Sequence, residues 1–379
     1  MKILFCSELF WPYIGGVERL GAQLVPDLQK KGYDLTVITS HGELDLPDEA
    51  CLAGAAVLRY PFRRALSDGQ PATIMKIRRT VEKRIEALAP DLIHLYSIGA
   101  GLFFVKDAVR KTDVPVAVTL HNESALMKSE GKSTVLADTL EAVSWVAGCS
   151  TAVLEEARKL VPAIAERSSL IRNSFHLGEF TPNPVPTEPM SMLCLGRLVP
   201  VKGFDTAVST LHAVHERFPD VRLEIAGYGP ERGRLEQLVA RYGLGNAVSF
   251  LGPVPPDQVL SVIDRASIVL MPSTTEGLPI AAIEAALVGR PIIATRVGGI
   301  PEIVRHGTTG MLTEPGNLVE FIEATKTLLE APERAVEMGR AARQYARTQF
   351  GWPAYLDAHC QLYERLYRES GRPRKPRRA

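Results

Sequence analysis

Val, Ile and Leu gather along this chain into short, near-continuous runs, with stretches of helical spacing between them. In the first half the runs are KILFCS (2–7), DLTVIT (34–39), AVLRY (56–60), LIHLY (92–96), VPVAVTL (114–120) and CSTAV (149–153). Helical spacing covers 17–31 and 73–88. Strands that are apolar throughout, rather than alternating, mark a parallel sheet covered on both faces.

The window 176–191 (HLGEFTPNPVPTEPMS) holds four prolines, which exclude a sustained helix or a central strand. It reads as an interdomain linker. A second alternation follows, with strands at 192–196, 222–227, 248–252, 267–273, 291–295 and 310–314 and helical spacing at 231–242 and 256–266. From 333 to 369 the pattern is helical, broken at FGWPAY (350–355). The expected fold is α/β: two doubly wound, Rossmann-like domains facing a cleft. The expected domains are 1–178 and 191–350, with a linker at 179–190 and a last helix near 352–370 packed back on the first domain. Ligands of such sheets bind beyond the carboxyl ends of the strands, so chemistry is sought there.

A length of 379 residues fits two domains better than one. The composition, 46% hydrophobic and 23% charged with a net charge of +1, is that of a soluble globular protein and gives no sign of a nucleic-acid partner. Cys6, Cys51, Cys149, Cys194 and Cys360 are scattered, with no CxxC, which suits a reducing compartment and argues against a zinc site. The apolar run at the N-terminus is too short for a signal-peptide core, and no run approaches the roughly 18 residues of a transmembrane helix. A cytoplasmic location is expected. The basic tail GRPRKPRRA (371–379) reads as a disordered, solvated segment, with acidic lipid as its alternative partner.

Three stretches carry candidate chemistry. Gly15 and Gly16 lie between the first strand and the first helix, where a backbone can come close to a ligand and a helix start attracts phosphate; a plain turn accounts for them equally well. In LCLGRLVPVKGFDTAV (193–208), Arg197 and Lys202 follow a strand and precede a helix, an arrangement suited to a diphosphate. In STTEGLPIAAIEAALVGRP (273–291), two acids, Glu276 and Glu284, sit eight apart in an otherwise apolar or small stretch. A helix starting near Pro279 would direct both at one ligand, because eight residues leave helical positions about 80° apart. The N–H groups of Leu278, Ile280 and Ala281 at that start can hold phosphate oxygens, and the carboxylates can accept hydrogen bonds from sugar hydroxyls.

Glu276, seven residues, then Glu284 resembles the E-x7-E motif of family 4 retaining glycosyltransferases, which have the GT-B fold. GRLVPVKGFD resembles that family's G-R-x-x-x-x-K-G loop, 289–317 its C-terminal signature and GGVER its N-terminal glycine loop. The match spans nearly the whole chain in the right order. It implies that Arg197 and Lys202 bind the nucleotide diphosphate, Glu284 the ribose hydroxyls and Glu276 the donor sugar, with Gly15 and Gly16 facing the phosphate and reacting groups. His121, in VTLHNES, stands where the family often has a histidine beside the donor sugar. Val254 stands where the family's backbone meets the base. Two departures bear on the substrate: IRNSF (171–175) replaces a proline-asparagine-glycine turn, leaving Asn173 as a candidate on the acceptor side, and Pro279 replaces a glycine and removes one backbone donor.

The implied partners are a nucleotide-diphosphate sugar and a hydroxyl acceptor, with no cofactor and no metal. DxD, the metal anchor of the other large glycosyltransferase fold, is absent from the sequence. Three rival readings stand beside this one. A dehydrogenase would need GxGxxG and a following acid, which the chain lacks. A nucleotide-sugar epimerase, or a non-catalytic binding module, would use the same donor site. The basic amphipathic stretch 73–88 (TIMKIRRTVEKRIEAL) is either a helix packed on its sheet or a peripheral contact with the inner membrane face. Loops 40–55 and 123–133 are expected to build the acceptor face.

Overall fold

Strand β1 (Lys2–Ser7) is buried from Ile3 onward and has a parallel neighbour on each side, the environment its apolar run requires. It belongs to a computed structural model that gives the fold of residues 1–122 and 135–371. The chain forms two units: Met1–Arg172 together with the segment from Pro353, and Asn173–Trp352. The expectations for 123–133 and for the tail beyond Gly371 fall outside the described residues.

In unit 1, β1 is followed by α1 (Gly16–Lys30), β2 (Asp34–Ser40), β3 (Glu49–Leu52), β4 (Ala55–Tyr60), α2 (Phe62–Asp68) and α3 (Pro71–Leu88). Then come β5 (Leu92–Leu95), α4 (Ala100–Lys111), β6 (Val116–Leu120), α5 (Val135–Ala142), β7 (Trp145–Gly148), α6 (Thr151–Leu160) and β8 (Ser168–Leu170). The strand order is β3-β4-β2-β1-β5-β6-β7-β8, parallel throughout except where β3 pairs with β4. β3 was not expected. It is an exposed edge strand without an apolar run, and Ala53 and Gly54, both at positive φ, turn the chain tightly into β4.

The strand expected at 149–153 is replaced by the shorter β7 just before it. Ser150 accepts a hydrogen bond from the Val153 N–H at 3.1 Å and caps α6, so the apolar residues of this stretch turn helical. On α3, Ile77, Val81 and Ile85 form a buried stripe at four-residue spacing. This stripe packs the helix against α2 and α4, where Arg78 pairs with Asp107, and leaves Lys76, Arg79 and Lys83 exposed. Among the described residues no helix is long and apolar enough to cross a membrane.

Unit 2 runs β9 (Ser191–Leu195), α7 (Phe204–His215), β10 (Arg222–Ala226), α8 (Arg232–Arg241), β11 (Val248–Gly252), α9 (Val259–Asp264) and β12 (Ile268–Met271). It continues with α10 (Ile280–Val288), β13 (Ile292–Thr295), α11 (Ile300–Ile303), β14 (Gly310–Thr313), α12 (Leu318–Glu330) and α13 (Pro332–Gln349). The sheet is parallel, in the order β11-β10-β9-β12-β13-β14. Its core joins Met192, Cys194, Leu223, Ile225 and Leu270 to Leu211 of α7 and Leu328 of α12. The proline-rich segment at 179–190 is fastened to this unit. Asp264 accepts from the Asn183 N–H at 3.0 Å and from its side-chain amide, and Arg290 donates to the Asn183 carbonyl at 3.1 Å and to Asp264 Oδ1 at 2.6 Å.

The last helix, α14 (Trp352–Glu369), belongs to unit 1 from Pro353 onward. Its buried face is aromatic and polar. Tyr363 Oη lies 2.6 Å from His94 Nδ1, and His94 Nε2 lies 2.8 Å from Thr119 Oγ1. Tyr355 Oη lies 3.0 Å from Tyr96 Oη, and the His359 Nδ1–H donates to the Tyr355 carbonyl at 2.9 Å. Burial holds the His359 imidazole down to about 4, and burial followed by the nearby His359 and His121 holds His94 well below its ordinary value.

Both rings are therefore neutral in the fold at pH values where an unfolded histidine is charged. The unfolded chain then binds more protons below an ordinary histidine pKa of about 6.5, so stability falls as pH drops through the window from about 6.5 to about 4. His359 alone should remove about 2 kcal/mol between pH 7.5 and pH 5. Urea unfolding of the whole chain at the two pH values, repeated with His359→Leu, should show that loss and its reduction in the variant. Equal slopes in the two chains would discount the histidine.

Candidate functional site

In unit 2 the sheet reverses its winding at β9, between β10 and β12, and the candidate residues follow the carboxyl ends of those strands. After β9 come Gly196 and the exposed Arg197, then one 3-10 turn, Pro200–Lys202. Gly203, at φ 62, starts α7; a Cβ there would stand 2.1 Å from the Pro272 carbonyl oxygen. Only glycine allows this approach of the β9 loop to the β12 loop. The Thr274 N–H donates to the Val201 carbonyl at 2.8 Å and ties the same two loops again.

That closure brings Lys202 to Glu276. The ammonium lies 2.6 Å from Glu276 Oε1, and Ser273 Oγ donates to the same oxygen at 2.7 Å. The Lys202 and Glu276 side chains are 21% and 9% exposed, a pair at the mouth of the sheet rather than in its core. Arg197 has no acid partner among the described residues, so its charge is available to an anion.

α10 starts at Ile280 with Pro279 as its N-cap residue, so Ile280 and Ala281 supply N–H groups of the first, unbonded turn. Glu284, the single charge of this helix, is 2% exposed. Burying a carboxylate is costly, and an acid in the middle of an otherwise apolar helix is a candidate for a polar task. Asn173, expected on the acceptor side, lies in unit 2, where its Nδ2 donates to the Leu278 carbonyl at 2.9 Å and fixes the approach to α10. The Gly299 N–H donates to the Gly277 carbonyl at 2.7 Å, so the β13 loop braces the same segment. Val254 is buried in the loop after β11.

Unit 1 holds the remaining candidates, also beyond strand ends. Gly15 is the N-cap residue of α1 and Gly16 its first residue. A Cβ on Gly15 would stand 2.0 Å from Glu18 Oε2, so this glycine makes room for a carboxylate folded back over the helix start. His121 directly follows β6; its half-buried ring meets the Tyr96 ring edge to face, at 4.8 Å and 64°. Ser273, Glu18 and Tyr96 escaped the sequence reading. Ser273 was within reach of it, three residues before Glu276 at a strand end. Among the described residues no group of three or more His, Cys, Asp or Glu side chains is placed to hold a metal ion.

Solved structures share this architecture across nearly the whole chain. Sucrose-phosphate synthase from Thermosynechococcus elongatus superposes with a TM-score of 0.83 at 23% identity, covering 97% of this chain and 99% of that one. The Anabaena protein Alr3699/HepE, solved with UDP-glucose, gives 0.76 at 21% identity, covering 96% and 100%. The fold is GT-B, two Rossmann-like units, and the family profiles that match the chain define a glycosyltransferase.

Two family profiles match in succession: Glycosyltransferase Family 4 over residues 14–178 and Glycosyl transferases group 1 over residues 179–345. The chain belongs to the group 1, family 4 glycosyltransferases. Its curated relatives include glycogen synthase of Mycobacterium tuberculosis, 29% identical over 96% of this chain and 94% of that protein. They also include the GDP-mannose-dependent alpha-(1-6)-phosphatidylinositol monomannoside mannosyltransferase of the same organism, 28% identical over 93% and 95%.

Proposed function

We propose that the enzyme moves a hexosyl group from a nucleotide-diphosphate donor to a hydroxyl acceptor with retention of configuration and without a metal ion. The observation that carries this reading is the contact between Lys202 and Glu276, braced by Ser273, at the switch point of unit 2. A cation and an acid held side by side suit a ligand that is anionic at one end and rich in hydroxyls at the other. Arg197 and Lys202 bind the diphosphate, joined by the first N–H groups of α10 and by the Leu278 segment. Glu276 takes hydroxyls of the sugar, Glu284 those of the ribose, and the backbone at Val254 meets the base. Following the family resemblance, Gly15 and Gly16 are assigned to the phosphate and the reacting groups and His121 to the donor sugar.

As the glycosidic bond breaks, negative charge grows on the leaving diphosphate. Fixed cations and helix N–H groups stabilise that charge where it develops. The acceptor oxygen attacks from the leaving-group face, its bond to the anomeric carbon forms as the bond to the phosphate oxygen breaks, and the departing phosphate takes the acceptor's proton.

A thermal-shift panel of UDP- and GDP-linked sugars tests the donor assignment. A bound donor at ten times its dissociation constant should stabilise the fold by about 1.4 kcal/mol. With that donor, turnover should be unchanged by EDTA. Loss of turnover on chelation, restored by magnesium or manganese, would overturn the metal-free reading, and a panel without any shift would overturn the donor site.

A further inference from the structure

Resting on the reading that His121 acts at the donor sugar, we propose that Tyr96 is a positioning residue for His121 and that Tyr355, from the last helix of the chain, holds Tyr96 in place. β5 and β6 are parallel neighbours with Leu95 opposite Val118, so Tyr96 falls beside Thr119, two residues before His121. Tyr96 is the first residue after β5 and His121 the first after β6. Tyr96 is fully buried, its N–H donates to the Cys6 carbonyl at 2.8 Å, and its ring lies at 31° to that of Phe5 with centroids 4.6 Å apart. The backbone bond and this packed face leave the ring one orientation. Two imidazoles meet the ring edge to face, His94 at 5.5 Å and 89° and His121 at 4.8 Å and 64°, an arrangement in which an aromatic ring resists rotation of its neighbour.

The Tyr96 hydroxyl is engaged by Tyr355 at 3.0 Å. Burial pushes it well above the ordinary phenol value, so it stays neutral and serves as an anchor rather than as a base. Tyr355 is held in turn on α14, where its carbonyl accepts from His359 and where Tyr363 reaches His94. A chain of contacts therefore runs from the C-terminal helix through Tyr355 and Tyr96 to the imidazole. Tyr96 sits behind His121, fully buried, and acts only through it.

Turnover and donor KM should be measured for Tyr96→Leu, Tyr96→Phe, Tyr355→Phe and the double phenylalanine variant, each also in a His121→Ala background. Loss of the ring in Tyr96→Leu should lower kcat about tenfold with donor KM within about twofold of the native value. Each phenylalanine variant keeps its ring and loses only the hydroxyl link; each should cost about threefold, and the double variant no more than either alone. In the His121→Ala background none should lower kcat further.

If Tyr96→Leu lowers kcat by the same factor with and without His121, the tyrosine acts independently and the proposal fails while the role of His121 stands. Full turnover in His121→Ala itself would overturn that role and the proposal with it. Should Tyr96→Leu fail to fold, the two isosteric phenylalanine variants decide: unchanged kcat in both overturns the link to the last helix.

Discussion

Asp264→Ala is expected to cost unit 2 about 3–5 kcal/mol of stability. Arg290 is 1% exposed and Asp264 7%, and the two meet at 2.6 Å. Burial lowers the pKa of the Arg290 guanidinium, with the Asp264 charge acting against that effect, which shows how much the fold asks of this partner. Removing Asp264 would strand a buried cation and also release the Asn183 N–H and amide, which now hold the proline-rich segment. Urea unfolding of the whole chain, followed at its tryptophans, would show the change as a lower midpoint with the slope preserved. The paired replacement Asp264→Leu with Arg290→Met should recover the part of the loss that comes from the stranded charge, because apolar groups of similar volume need no partner, while the Asn183 N–H and amide stay released. A loss below about 1 kcal/mol in Asp264→Ala would mean that water reaches the guanidinium and that the pair contributes little.

This pair also shows where sequence reading stops. Parallel strands such as β1, β9 and β12 are legible because apolar residues fill both of their faces, and Glu8, Gly196 and Pro272 end the three runs. The proline-rich window was read correctly as neither helix nor central strand, yet its attachment to Asp264 and Arg290 depends on residues 81 and 107 positions away. β3 was invisible because an exposed edge strand needs no apolar pattern. At 149–153 an apolar run outweighed the Ser150 cap in the reading, and in the fold the cap prevailed. Within the candidate site, Lys202 and Glu276 were legible from their motifs. Their direct contact was not, since it follows from the passage of Gly203 beneath Pro272. Tyr96 meets Tyr355 across 259 positions, a relation with no local signature.

Lys202→Ala should slow sugar transfer roughly a hundredfold, the equivalent of about 3 kcal/mol in transition-state stabilisation. The side chain is one of two cations assigned to the leaving diphosphate, and it also holds Glu276 at 2.6 Å in the resting enzyme. Its loss removes a preorganised charge and frees the acid from half of its support, leaving Ser273 as the remaining donor in that pair of contacts. Because Lys202 is partly exposed at a loop, the fold should tolerate the change, so an unaltered melting temperature should accompany the slow transfer. Lys202→Arg is not expected to restore the rate, since a planar fork cannot replace a compact ammonium wedged beside one carboxylate oxygen. Glu284→Ala should show a loss of similar size through the ribose end of the donor. Near-normal turnover in purified Lys202→Ala and Glu284→Ala would remove both residues from the donor site.

The chain enters unit 2 at Asn173 and returns to unit 1 at Pro353, so the part of the protein made first is finished last. On the ribosome, unit 2 can close as soon as it emerges, whereas the β5 and β6 ends must wait for α14, with His94 lacking Tyr363 and Tyr96 lacking Tyr355. A chain ended before Pro353 and released should therefore keep a protease-resistant second half and a cleavable first half, because it lacks the helix that the proposed link to His121 requires.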